Sequence, residues 1–468
     1  MSVPLPSALG PLLLECQAAF TRPSFESFVV LVTGWIACLG RHTIARVLQA
    51  AGPAGRRKHH AAFYRFLARA RWVPDRLSEL LVRLLLPLLP PEILVIVDDT
   101  LCHKSGPQLF GAGMHVDIPR SRYAGRRVAF SFGHDWVVLA LWIPRPWAPS
   151  RGWAVPVLWR LYRPKRRCPP AAYRKRTDLA AELLGVVLEW LPAGRRVHLV
   201  SDAEYACRTV LRALPAHVDF TGPIVPDAAL YAPPAPRRGP GRPRRKGRRL
   251  RTPTALAADG RTPWQAVTAD LYGRVVPLLI KTQVAWWYTV TGVRPVRVIV
   301  TRDPAGRWRD RAYVTTATAA AVPAILSTFA RRWSLEAAFR DAKQHLGLED
   351  PQNGWWRRRA GRRRPLRRAG PHPRGRRGEP AVLRTVPLIW TVYALVLRWY
   401  LHAGQPTADV AAVRQAAPWY RHKHTPAFTD MLASARRAVW TARLSTHPVL
   451  ARLYRKIPDL LPPWLLVA

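Results

Sequence analysis

Three carboxylates, far apart in the sequence, lie in settings that suit one metal site. Asp99 follows the apolar run in LVIVDDT, Asp202 ends VHLVSD, and Glu336 lies within FARRWSLEAAFRDAKQHLG. Hard Mg²⁺ ions prefer oxygen ligands and keep coordination positions open for a substrate. Two such ions can cut a phosphodiester bond, because one activates water while the other stabilises the departing oxygen. The sequence therefore predicts a two-metal site that acts on a phosphodiester.

The charge of the chain indicates the class of its partner. There are 74 Lys and Arg against 28 Asp and Glu in 468 residues, which gives a formal net charge of +46. Charge of this size opposes compaction and favours a polyanion such as a nucleic acid backbone. The two most apolar segments, SFVVLVTGWIACLG and VPLIWTVYALVLRWYL, are short or interrupted by Arg398, so we interpret both as buried helices and expect no membrane.

The compartment is predicted from the N-terminus and the cysteines. MSVPLPSALG has no basic segment before its short apolar stretch, so it does not resemble a signal peptide. The five cysteines are scattered without C-x-x-C spacing, which favours reduced thiols. We expect a cytoplasmic protein.

The two aspartates each have a second interpretation. Asp98 and Asp99 are neighbours, and strand alternation points them to opposite faces, so only one is expected to ligate. Turn formation at a strand end is the simpler role for either. Asp202 ends a second strand, where α/β sheets place ligands, but Ser201 or Asp202 could instead cap the next helix, and Ser201-x-x-Glu204 matches a capping box.

The elements around these acids predict an α/β core interrupted by an insertion. Residues 1–91 are predicted to be a helical DNA-binding or dimerisation region that ends at a Pro-Pro break. Residues 92–223 show a three-strand meander and then helix, strand, helix, strand, which is typical of the first part of an α/β core. We assign 224–318 to a β-rich insertion with a basic linker, 319–402 to the second part of the core with an Arg-rich loop at 357–379, and 403–468 to a helical tail.

Glu336 is predicted to lie on one helix among cations. At 100° per residue, Phe329, Arg332, Glu336, Arg340 and Lys343 share one face. The simpler role is an exposed ladder of ion pairs at i,i+4 spacing. The functional role is a metal-ligating glutamate flanked by cations that bind phosphates.

The spacing of Arg332, Glu336 and Lys343 resembles the Y-R-E-K signature of the DDE transposases of insertion sequence family four and its relatives. The family has Tyr three residues before the Arg, whereas this chain has Phe329. The family's first aspartate directly precedes Thr, which selects Asp99, although Asp98 remains an alternative. The resemblance covers most of the chain in order.

The resemblance implies a ribonuclease-H-like core split by a β insertion. It also implies catalysis by Asp99, Asp202 and Glu336, which would hold two Mg²⁺ ions or Mn²⁺ in their place. The activity implied is cutting of double-stranded DNA at terminal inverted repeats and joining of the 3′-OH ends to target DNA. A homodimer in the DNA complex is implied as well, because two ends must be paired.

Contacts to DNA are predicted outside the acids. We expect contributions from Arg332, Arg340, Lys343 and Lys104, and from Arg242 and Arg244 in the segment GPGRPRRKGRR, which resembles a minor-groove hook or a solvated linker. Trp308 is a candidate for stacking on a flipped base, since some family members use a tryptophan of the insertion in this way. The alternatives are a domesticated or inactive relative that acts as a metal-dependent nuclease, or a non-catalytic nucleic-acid-binding protein.

Overall fold

A single mixed β-sheet forms the centre of the molecule. The structure is a computed structural model that describes residues 3–105, 109–123, 128–234, 244–350, 356–357, 366–367 and 378–446, together with 449 and 452. The main sheet has the order β2-β3-β1-β5-β6-β10-β9-β8-β7, and β4 pairs with β3. The strands are β1 (Ile93–His103), β2 (Gly113–Val116), β3 (Phe130–Arg145), β4 (Ala148–Tyr162), β5 (Val197–Ser201), β6 (Val218–Pro223), β7 (Gln265–Leu271), β8 (Arg274–Trp286), β9 (Pro295–Arg302), β10 (Arg311–Thr315), and a separate pair, β11 (Trp356–Arg357) and β12 (Leu366–Arg367).

Helices cover this sheet on both faces. They are α1 (Leu9–Glu15), α2 (Arg22–Ala37), α3 (Ile44–Ala50), α4 (His60–Ala68), α5 (Pro74–Leu85), α6 (Ile118–Tyr123), α7 (Arg176–Trp190), α8 (Arg208–Ala213), α9 (Pro253–Ala258), α10 (Tyr288–Thr291), α11 (Val322–Ala330), α12 (Trp333–His345), α13 (Glu379–Ala403), α14 (Pro406–Ala416) and α15 (Phe428–Ser445). Short 3₁₀ helices span Gln17–Ala19, Gly52–Arg56, Leu86–Leu88, Lys165–Arg167 and Pro170–Ala172. The chain is thus a mixed α/β protein.

The strand β1 lies within the sheet between β3 and β5. Its first five residues are all buried, which is the continuous apolar pattern of a strand covered on both faces. It pairs antiparallel with β3 and parallel with β5, and β5 pairs parallel with β6. β5 ends at Ser201 opposite Val97, whereas β1 continues to His103, so Asp98 and Asp99 lie in the middle of β1 at the level where β5 ends.

The strands of the insertion extend the same sheet. β10 pairs antiparallel with β6, and β9, β8 and β7 follow outward. α11 packs against this extension in a second, smaller apolar cluster. The N-terminal helices, the central strands, α13 and α15 share one large core instead. The domain boundaries proposed from the sequence stay predictions, because the order of elements along the chain does not show which of them fold as separate units.

The helix that carries Glu336 is interrupted, contrary to the expectation of one continuous face from Phe329 onward. α11 ends at Ala330, a turn follows at Arg331 and Arg332, and α12 begins at Trp333. Phe329 therefore belongs to the preceding helix. The backbone of Arg332 keeps helical dihedral angles, so the break is a change of hydrogen bonding rather than a reversal of the chain.

One helix among the described residues, α13, is long and apolar enough to cross a membrane by composition alone. Within its most apolar window 78% of the residues are buried inside the protein, as in the central helix of a soluble core. Arg242 and most of the Arg-rich loop 357–379 lie outside the described residues.

Candidate active site

The neighbouring aspartates of β1 lie in two different environments. Arg332 Nη1 donates to Asp98 Oδ2 at 2.6 Å. The Tyr205 hydroxyl donates to Asp99 Oδ1 at 2.9 Å, and Arg176 Nε lies 4.0 Å from Asp99 Oδ2. This separation follows from strand alternation, which sends consecutive side chains to opposite faces of the sheet.

Asp202 lies beside Asp98 at the end of the adjacent parallel strand. The register pairs Val97 with Ser201, so Asp98 and Asp202 occupy the next positions on their two chains. Asp202 Oδ1 accepts the backbone N–H groups of Glu204 at 3.0 Å and Tyr205 at 3.4 Å, and Oδ2 takes no part in this turn. Asp202 rather than Ser201 therefore stabilises the turn, and α8 begins later than predicted, at Arg208.

Arg332 joins Asp98 to Glu336. Its Nη2 donates to Glu336 Oε1 at 2.7 Å, while its Nη1 holds Asp98 across 234 positions of sequence. The Arg332 side chain is only 15% exposed. Burial by itself would lower the pKa of Arg332, but the charges of Asp98 and Glu336 outweigh this and raise it. Charge-assisted pairs of this kind fix both carboxylates in place.

The surroundings of Asp98 disfavour its charged form. Burial raises its pKa well above the usual value, and the charges of Asp99 and Asp202 act in the same direction. Arg332 and the Asp99 backbone N–H oppose this rise without cancelling it. A group of carboxylates that repel one another in a half-buried place is stabilised by a cation.

These residues fit a divalent metal by their chemistry. Within the described part of the chain, no three His, Cys, Asp or Glu side chains are arranged to hold a metal ion as they stand, and Arg332 lies between Asp98 and Glu336. Asp98, Asp202 and Glu336 nevertheless offer only carboxylate oxygens, which Mg²⁺ and Mn²⁺ accept. The guanidinium already supplies positive charge at the position where these acids would hold ions.

The other face of β1 carries a second polar cluster that the sequence analysis missed. Asp99 lies opposite Val137, and Asp135 is its diagonal neighbour on β3. Arg176, at the start of α7, donates to Asp135 Oδ2 at 2.6 Å and to Glu204 at 3.4 Å. Burial and then the charge of Asp135 raise the pKa of Asp99 to about 7. The signal available in the sequence was Asp135 itself, a carboxylate within the apolar strand FSFGHDWVVLALW.

Three predicted DNA-binding cations lie on α12 or directly after β1. Lys343 Nζ donates to the carbonyl of Leu101 at 2.7 Å, which ties α12 to β1. Lys104 donates to the carbonyl of Glu349 at 2.8 Å, in the segment after α12. Arg340 is 62% exposed and pairs with Asp341 rather than with Glu336, so the predicted ladder of ion pairs includes only Arg332 and Glu336.

The remaining predicted contacts lie in the insertion. Trp308 is partly buried beside Arg307, whose guanidinium lies 4.6 Å from the centre of its ring. It lines a cavity of about 560 Å³ together with Tyr313 and Phe329. Arg244 is exposed. The structure does not bring Trp308 or Arg244 into any contact with the acids.

A comparison with known families identifies the chain. A family model described as DDE superfamily endonuclease matches residues 15–275, which includes Asp98, Asp99 and Asp202 and ends before Glu336. No curated protein matches the chain. The family implies DNA as the substrate. Because the match covers more than half of the chain, this protein belongs to the DDE superfamily of endonucleases.

Proposed function

We propose that this protein is a transposase that cuts double-stranded DNA at terminal inverted repeats and joins the 3′-OH ends to target DNA. The observation that carries the proposal is the bridge from Asp98 through Arg332 to Glu336, with Asp202 beside Asp98 on the next strand. This bridge supports the proposal because it links a glutamate from beyond the family match, through Arg332, to an aspartate within the match. The Arg332, Glu336 and Lys343 spacing supports assignment to insertion sequence family four.

The ligands in this proposal are Asp98, Asp202 and Glu336. Sequence reasoning selected Asp99 in place of Asp98, and the bonds of Asp99 to the opposite face favour its neighbour. When bound, two Mg²⁺ ions, or Mn²⁺ in their place, supply activation of water and stabilisation of the leaving 3′ oxygen. Arg332 orients two of the carboxylates, and its guanidinium is suited to a DNA phosphate once those carboxylates hold another cation.

The strand order supports a ribonuclease-H-like core. The path β4-β3-β1-β5-β6 contains two antiparallel pairings followed by two parallel ones, with Asp202 directly after β5 and Asp98 beside it within β1. Ligands of open α/β sheets bind at the carboxyl ends of such strands. We place this chemistry in a homodimer on paired DNA ends, in the bacterial cytoplasm at the nucleoid, where the charge of +46 favours DNA.

The decisive test is nicking of the inverted repeats that flank the gene by the purified full-length protein. We expect Mg²⁺-dependent nicking that falls by on the order of 100-fold or more in Glu336→Gln and in Asp98→Asn, because each removes a metal ligand. Glu182→Gln, an exposed glutamate that pairs with Arg160, serves as the control. Equal activity of Glu336→Gln and wild type would show that Glu336 is not a metal ligand. Loss of activity in Asp99→Asn but not in Asp98→Asn would show that Asp99 is the ligand on β1.

A second candidate is a metal-dependent nuclease that cuts without joining. It is favoured by the description of the matching family, which names an endonuclease. Incubating pre-cut ends that carry a free 3′-OH with supercoiled plasmid separates the two functions. Joined products support the transposase, and their absence alongside efficient nicking supports the nuclease.

A further inference from the structure

A short ribbon of two strands exposes a group of large apolar side chains. We define the apolar ribbon as Met114 and Val116 of β2 with Phe130 and Phe132 of β3. Met114 is 57% exposed, Val116 47% and Phe130 56%. Contiguous exposed apolar residues of this size commonly mark an interaction site.

The register places all four side chains on one face. Met114 pairs with Phe132, and Val116 pairs with Phe130. The intervening residues, such as His115 and Ser131, are buried on the opposite face. The polar side chains of this ribbon thus face inward and the apolar ones face outward, the reverse of the usual pattern for a half-exposed sheet.

The surroundings of the apolar ribbon are cationic. The guanidinium of Arg167 lies 5.7 Å from the centre of the Phe132 ring, and Arg167 also donates to the carbonyl of Ala112 at 2.9 Å. Lys165 and Arg166, the exposed neighbours of Arg167 in its 3₁₀ helix, add two cations, whereas Arg120 donates to Ser131 on the opposite face. A second copy of the chain would bring the same positive charge, whereas a polyanion would neutralise it.

The apolar ribbon lies beyond a covered stretch of the sheet face that carries Asp98, since His134 and Trp136, between Phe130 and Val138 on that face, are buried. Asp98 pairs with Val138 of β3, and Phe130 has the same parity as Val138 along that strand. From Val138 to Phe130 the strand covers about 26 Å at ~3.3 Å per residue. DNA that passes from the acids over this covered stretch toward Phe130 would span about eight base pairs, at 3.4 Å each.

We infer that the apolar ribbon is a wedge that inserts between base pairs of duplex DNA held at the acidic site. Apolar side chains among cations on a β ribbon suit this mode of binding, in which partial unstacking kinks the duplex and brings more of it onto the protein. The inference rests on the proposed function for its DNA substrate. It adds to that function a second site, away from the cut, at which the DNA is deformed. The chemistry of the acids does not require such a site.

The test uses 2-aminopurine, whose fluorescence rises when its base is unstacked. The probe is a set of duplexes that carry one flanking inverted repeat, with the analogue moved in single steps over the region about 5 to 11 base pairs from the cut. Every arm contains EDTA and no divalent metal, so that binding is measured without cutting whichever acids are the ligands. We expect a fluorescence rise confined to one or two adjacent steps, and loss of that rise in Phe130→Ser while DNA is still bound at low salt.

Leu14→Ser is the matched control, because Leu14 is 58% exposed on α1 and lies on another element. It should keep the rise. The inference is overturned if the protein with the wild-type ribbon binds the DNA but raises the fluorescence at no position. It is also overturned if Phe130→Ser leaves the fluorescence rise unchanged. A change of Phe130→Ser from dimer to monomer with the fluorescence unaltered would assign the ribbon to an interface between copies. Because cutting is disabled in every arm, these outcomes do not depend on the nicking test.

Discussion

At the scale of single residues, the candidate site depends on an arginine that holds two acids. Asp98, Arg332 and Glu336 form one chain of charge-assisted hydrogen bonds, and the Asp98 and Arg332 side chains are 13% and 15% exposed. Breaking such a pair from one side leaves a poorly solvated charge, and this costs far more than the pair as a whole contributes. The three residues should therefore behave as a unit when they are substituted.

We predict that Arg332→Met lowers the free energy of unfolding by about 2–4 kcal/mol near neutral pH, because it leaves Asp98 buried without its cation. The double variant Arg332→Met/Asp98→Asn should recover most of this loss. Urea denaturation of the four proteins in the cycle gives the coupling free energy directly. Additive effects of the two substitutions would show that the bond between Arg332 and Asp98 has no energetic role.

The sequence could identify the acids but not choose between neighbours. Alternation required Asp98 and Asp99 to face opposite ways, and only the register with Ser201 and the reach of Arg332 show which one meets the glutamate. The ion pair between Arg332 and Glu336 was visible from i,i+4 spacing. The bond of Arg332 to Asp98 was not visible, because it depends on how a distant helix packs against the strand.

At the scale of elements, α12 is anchored beyond its C-terminus by the N-terminal helices. Trp35 of α2 donates its Nε1–H to the carbonyl of Leu346 at 2.9 Å, and the backbone N–H of His42 donates to Asp350 at 2.7 Å. Lys343 fixes the same helix to β1. The position of Glu336 along the sheet is therefore determined partly by residues that lie some 300 positions earlier.

We predict that Trp35→Phe lowers the free energy of unfolding by about 1–3 kcal/mol, since it keeps an aromatic ring but leaves the buried carbonyl of Leu346 unpaired. Trp399→Phe is the matched control, because Trp399 is also buried and its Nε1 has no hydrogen-bond partner among the described residues. Thermal or urea denaturation compares the two. An equal loss in both variants would attribute the effect to ring size alone.

Local pattern predicted most strands and failed at short or interrupted elements. The apolar runs of β1, β3 and β5 were clear because both faces of these strands are buried. The four-residue strand β2 is too short for a periodic signal, and its pairing with β3 decides its conformation. The break before α12 was missed because Arg331 and Arg332 have good helix propensity, which tertiary contacts override.

At the scale of the whole molecule, one core buries several neutral imidazoles. Burial lowers the pKa of His42 to about 4, of His115 to about 4 and of His134 to about 3, from an ordinary value of 6.5. An unfolded chain would take up protons at these positions before the folded one does. The stability that they contribute is therefore present above pH 6.5 and is lost as the pH falls toward the folded values.

We predict that His42→Phe loses less stability than wild type as the pH is lowered from about 7 to about 5, because one site of preferential protonation in the unfolded state is removed. His42 stacks on Trp35 with ring centres 5.9 Å apart, so a phenyl ring can replace it. The exposed His402→Gln is the control and should keep the wild-type dependence. Urea denaturation at several pH values measures the slope, and identical slopes for wild type and His42→Phe would contradict the prediction.

The order of elements along the chain could be predicted at this scale, whereas their assembly could not. Alternating strands and helices indicated an α/β core, and the β-like pieces after residue 224 indicated an insertion. No local pattern showed that β10 would pair with β6 and continue the sheet. Long-range strand pairing depends on contacts between distant segments, which composition and periodicity do not encode.

The bridge through Arg332 has an evolutionary consequence. A lineage that replaces Arg332 alone keeps a buried acid without a cation, and one that replaces Asp98 alone keeps a buried cation with half of its partners. Either intermediate is less stable than its parent, so substitutions at 98, 332 and 336 should be inherited together. Decayed copies of the gene, freed from selection for activity, should lose this covariation first.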